Sequence, residues 1–80
     1  MAGRSERQRV LSDIEEFEES ASRVETGTEG EAVLELARRY ARDARYFLEK
    51  GDAFTAWGCI NYAHGLIDAL RDLRSRQKPG

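Results

Sequence analysis

Apolar side chains recur at alternating intervals of four and three residues in three successive segments of the chain. Val10, Ile14, Phe17, Ala21 and Val24 form the first run, and Val33, Ala37, Tyr40, Ala44 and Phe47 the second. Ala53, Ala56, Ile60, Ala63, Ile67 and Leu70 form the third. This interval matches the helical turn, so each run makes one stripe on one helix. No segment alternates with the two-residue period of a strand. The spacing therefore predicts an all-α fold, an antiparallel three-helix bundle with helices over about 5–24, 29–50 and 53–75.

Punctuation between the runs agrees. Ser5 with Gln8 has the capping-box pattern at the first helix start, and Thr28 with Glu31 repeats it at the second. Glu25-Thr26-Gly27-Thr28-Glu29-Gly30 carries two glycines and two threonines, which makes it a loop. Gly51 falls where a left-handed residue would end the second helix, and Asp52 can cap the third at once. Helices joined by so tight a turn are antiparallel. The tail from Gln77 to Gly80 is expected to fray. Eighty residues make one domain with a thin core.

The net charge is −2, unevenly spread. Eight acidic residues between Ser12 and Glu31 face only Arg23, whereas Arg4, Arg7 and Arg9 near the start and Arg71, Arg74, Arg76 and Lys78 near the end are basic. Such runs read as solvated helix faces rather than a nucleic-acid footprint. Arg38, Arg42 and Arg45 make a basic stripe on the second helix, interleaved with Glu35, Asp43 and Glu49, and are expected to pair with the acidic first helix. Cys59 is the single cysteine, so no internal disulfide forms. No apolar run is long enough to span a membrane, and the charged start lacks the apolar stretch of a secretion signal. We expect a cytoplasmic protein.

The third helix is more apolar than its place requires. At about 100° per residue, Phe54, Gly58, Tyr62, Gly65, Ala69 and Leu73 form a second arc roughly opposite the core stripe. A helix with its back in water ordinarily carries lysine or glutamate there. Each interior glycine costs about 1 kcal/mol relative to alanine, and glycine on a surface lets another backbone or ring come close. Phe54, Gly58, Tyr62, Gly65 and Ala69 are therefore expected to pack against something outside the bundle. The partner is expected to be a second copy or another protein. The alternative is that Tyr62 lies over the second helix within the monomer.

Asn61, His64 and Asp68 share one edge of this helix at positions i, i+3 and i+7. His64 and Asp68, four apart, are in reach of a hydrogen bond. A histidine oriented by a carboxylate is half of a base–nucleophile arrangement, but Cys59 points roughly 140° away around the helix and cannot complete it. A half-buried cluster tying helices together is the favoured reading. One histidine and one cysteine, apart in space, make no zinc site. The Glu15-Glu16-Phe17-Glu18-Glu19 run lacks the Glu-x-x-His pairing of di-iron bundles. No phosphate loop follows a strand. No metal, cofactor or catalytic residue is assigned.

The stretch from Leu34 to Leu70, with "ARYFLEKGD" closing one helix and "AWGCINYAHGLIDA" in the next, resembles the archaeal family catalogued as domain of unknown function three-five-seven. That resemblance implies a short helical bundle with no assigned activity. Ala44, Phe47, Ala56, Ile60 and Ala63 are more loosely similar to the packing positions of a tetratricopeptide hairpin, without its glycine and closing proline. The chain also looks like the higher-eukaryote-and-prokaryote nucleotide-binding helical domains. Their ribonuclease signature sets an arginine and a histidine with four to six residues between them, and the positions that would hold the arginine before His64 are Trp57, Gly58 and Cys59. The expected role is a non-enzymatic interaction module that self-associates through the third helix. Its alternative is a small-ligand, nucleotide-binding or enzymatic role for Asn61, His64 and Asp68.

Overall fold

A computed structural model describes residues 5–77. Three helices follow one another: α1 (Glu6–Ser22), α2 (Thr28–Glu49) and α3 (Ala53–Gln77). No strand occurs among the described residues. Each helix packs on the other two, and the α2–α3 hairpin is the most extensive of the three pairings. α3 runs to Gln77, the first residue of the expected tail, and the rest of that tail, Lys78 to Gly80, lies outside the described residues.

The caps explain where the helices begin and end. The Ser5 hydroxyl accepts from the Gln8 amide at 3.2 Å, and the Gln8 side chain accepts from the Ser5 amide at 3.2 Å, so the first capping box forms. The second does not. α2 starts one residue earlier than expected, on the extended backbone of Gly27, and no side chain caps it. Thr28 is already inside the helix, so its hydroxyl is one position too late to serve as the cap.

The hairpin turn follows its sequence signals. Gly51 has φ 86°, the left-handed conformation that a side chain would strain. The Asp52 amide donates to the Phe47 carbonyl at 2.9 Å and the Gly51 amide to the Leu48 carbonyl at 3.1 Å, the two bonds of a Schellman ending. Asp52 then accepts from the Thr55 amide at 3.0 Å and starts α3. Arg7 adds a contact that spacing did not foretell. Its guanidinium donates to the Leu48 carbonyl at 2.7 Å, fastening α1 to the negative end of α2.

The core is the first and third predicted stripes meeting a second that is turned slightly: in α2 Ala41 and Leu48 are buried with Ala37 and Ala44, whereas Tyr40 and Phe47 of the predicted run are only partly buried. Ile14, Phe17, Ile60 and Ile67 are its largest fully buried side chains, with Val10, Ala21, Ala37, Ala41, Ala44, Leu48, Ala56 and Ala63 around them. The many alanines let the helices lie close. Val33 and Val24 are only partly buried, because they lie near the loop where α1 and α2 diverge. The expected pairing of the arginine stripe with α1 is realised by Arg45. Its Nη2 and Nε bind the two Glu18 carboxylate oxygens at 2.8 and 3.1 Å, and this bond tightens Arg45's hold on its proton. Arg38 and Arg42 flank a shallow groove beside Glu18 instead.

Candidate interaction face

The geometry of α3 follows from its two arcs. Ala56, Ile60, Ala63, Ile67 and Leu70 point inward and are buried. The opposite arc points outward: Phe54 is 82% exposed, Tyr62 52% and Leu73 54%, and Gly58, Gly65 and Ala69 are exposed between them. The helix thus offers apolar atoms on two sides, whereas α2 places its arginines and carboxylates outward.

Tyr62 takes part in both worlds. Its ring lies against Tyr40 of α2 with centroids 4.5 Å apart and planes tilted by 56°. One side of the ring is thereby fixed to the monomer, and the rest faces out. The monomer contact does not cover the neighbouring glycines. A Cβ built on Gly58 or Gly65 would meet no atom within 4 Å, and neither residue has a positive φ. Neither backbone conformation nor packing within the monomer calls for glycine at these two positions.

Trp57 extends the apolar surface toward α1, a placement that the sequence reading missed. It is 51% exposed and, with Phe54, Ala53 and Val10, lines a groove of about 360 Å³ rimmed by Glu6, Arg9 and Asp13. Tyr46, 55% exposed near the end of α2, meets Phe47 edge-on and carries the Lys50 ammonium 5.4 Å from its ring centre.

The polar trio does not assemble. Asn61 and Asp68 are exposed, while His64 is half-buried toward α1. Its Nε2 lies 3.1 Å from the Asp13 carbonyl, and its ring meets Phe17 edge-on at 5.8 Å. A carbonyl can only accept, so Nε2 carries the proton and donates. The expected His64–Asp68 hydrogen bond is replaced by this bond to main chain. On a helix the histidine at i points toward the neighbouring helix, while the carboxylate at i+4, a further turn along and about 40° around, has already rotated into solvent. His64 also edges an open acidic groove formed with Ser12, Glu15, Glu16, Glu19 and Ser20.

Cys59 is part-buried, and burial pushes its thiol up, with the carboxylates of Asp43 and Asp52 adding to the effect. A thiol held protonated in this way is a poor nucleophile. Among the described residues no three His, Cys, Asp or Glu side chains are placed to hold a metal ion, and no helix is long and apolar enough to cross a membrane.

Fold and surface together define a small all-α bundle whose last helix is apolar on both sides. Within that class the chain belongs to the family described as "Protein of unknown function (DUF357)", which it matches over residues 8–75. No curated protein matches the chain.

Proposed function

We propose that the protein is a non-enzymatic interaction module of the cytoplasm that self-associates through the outer arc of α3. The observation that carries this reading is the pair Gly58 and Gly65 in open space between the exposed rings of Phe54 and Tyr62. Two residues that weaken a helix, without a role inside the monomer, have a role if another backbone comes against them. An apolar face of this kind on a small soluble domain is the usual mark of an association surface, and closed two-fold dimers are the commonest assemblies.

Sedimentation equilibrium tests the proposal. The unmodified chain should sediment at twice its monomer mass, Tyr62→Glu at the monomer mass with its helicity intact, and His64→Ala as the unmodified chain does. A strict monomer at high concentration would reject self-association. Loss of the dimer in His64→Ala alone would favour the alternative role for the histidine edge.

A further inference from the structure

Building on the self-association proposed above, we infer that α3 pairs antiparallel with α3 of a second copy, about a two-fold axis passing between Asn61 and Tyr62. The inference comes from how side-chain size and charge are distributed about that point.

Residues equidistant from it pair across such an axis. Gly58 pairs with Gly65, Phe54 with Ala69, and Asn61 with Tyr62. All six are exposed. At about 100° per residue the axis leaves the helix roughly opposite the buried stripe of Ala56, Ile60, Ala63 and Ile67, so a copy brought in along it meets the outward arc squarely. Size is complementary in this register. The 82% exposed Phe54 ring lies over the second copy's Ala69 and Gly65, and the reciprocal contact follows by symmetry. The glycines face each other at the crossing, where the missing Cβ atoms permit an interaxial distance near the lower end of the usual range of about 8–10 Å. Phe54-Gly58-Tyr62 and Asn61-Gly65-Ala69-Leu73 are i, i+4 ridges, and each ridge lies along the other in the second copy. Tyr62 is held for this contact by its tilted ring contact with Tyr40.

Charge selects the direction. Asp68 and Asp72 are exposed on the C-terminal half of α3, and Lys50 is exposed at the turn before its N-terminus. An antiparallel copy places Asp72 near the second copy's Lys50 and sets Arg71 opposite the Asp52 carboxylate that caps the second copy's α3. A parallel copy in register would set Asp68 on Asp68 and Asp72 on Asp72. It would also stack Phe54 on Phe54 and leave the glycines facing glycine alone, with no small residue beneath either ring.

Cross-linking in a Cys59→Ser background tests the register. Gly58→Cys and Gly65→Cys chains of different isotopic mass are mixed and oxidised, and the products are read by mass spectrometry. Phe54→Cys mixed with Ala69→Cys repeats the measurement with both glycines left in place. In the antiparallel pairing the two different positions are adjacent, while identical positions lie roughly 10 Å apart along the axis for Gly58 and over roughly 20 Å for Phe54, beyond the reach of a disulfide. Mixed dimers should exceed same-position dimers at least tenfold for both pairs. Same-position dimers forming as readily as mixed ones would overturn the antiparallel register. A chain that sediments as a dimer without giving the mixed products leaves self-association standing and removes this geometry. A chain that stays monomeric removes both.

Discussion

α2 and α3 pack against each other more extensively than either packs on α1, yet their outer sides differ in the character of their main stripe. Behind Ala37, Ala41 and Ala44, α2 exposes Arg38, Arg39, Arg42 and Asp43. Behind Ala56, Ile60 and Ala63, α3 exposes Phe54, Gly58, Tyr62 and Gly65. The inner sides show what a helix needs in order to join the bundle, and α2 meets that need with buried alanines and Leu48, flanked by Leu34, Tyr40 and Phe47. The outer side of α3 therefore exceeds what the monomer uses. The excess includes two glycines that oppose helix formation, so it is not simply a generous core.

The comparison breaks most forcefully at the inner arc. Ile60→Ala should lower unfolding stability by about 2–5 kcal/mol in a denaturant titration, because a fully buried branched side chain leaves a cavity. In the Tyr62→Glu monomer, Phe54→Ala should stay within about 0.5 kcal/mol of its parent, since its ring is mostly in water. Equal losses at the two sites would erase the distinction between the arcs.

Tyr62→Glu acts on the outer arc and also removes the ring contact with Tyr40. It should weaken association at least about a hundredfold, which corresponds to roughly 2.7 kcal/mol, while leaving the circular dichroism of the bundle unchanged. His64→Ala touches neither arc. It should cost about 1–2 kcal/mol of stability through the lost bond to Asp13 and contact with Phe17, and leave sedimentation as it was.

Gly58→Ala sharpens the comparison because its two effects have opposite sign. The Tyr62→Glu monomer should gain about 0.5–1 kcal/mol from the better helix former, whereas the otherwise unmodified dimer should dissociate more readily as the crossing is held apart. The smallest effect concerns the start of α3. Hydrogen bonds from Thr55, its side chain first and then its amide, hold the Asp52 carboxyl below the ordinary carboxylate range. A lowered folded value means that the contribution is full above the unfolded value of about 3.9 and fades as pH falls through the folded one. Asp52→Asn should therefore flatten the acid limb of the stability profile and slightly lower stability at neutral pH, where the contribution of the ionised carboxyl is full.

Much of this could be read before any coordinates. The three stripes, the Ser5 capping box, the left-handed Gly51 and the Asp52 cap all follow local rules, in which a residue and its neighbours within one turn settle the outcome. The readings that moved were those in which a side chain had to choose between partners. Thr28 and Gly27 competed for one cap, and the backbone of Gly27 took it. His64 could reach Asp68 on its own helix or Asp13 on another, and the proximity of α1 decided for the latter. Arg7 found the end of α2, a contact between residues far apart in the chain that no periodicity announces.

Sequence alone determined that there are three helices, where they turn and which stripes α1 and α3 bury, because periodicity, capping and turn chemistry act within a few residues; the buried stripe of α2 is shifted toward Ala41 and Leu48 by its two neighbours. It also determined that α3 has a second apolar arc. Only the tertiary structure decided that this arc is left uncovered, that Tyr62 is shared between Tyr40 and the outside, and that His64 is tied to α1. Burial depends on how neighbouring helices are placed around one another, and that placement is fixed by the packing of all three stripes at once rather than by any one of them.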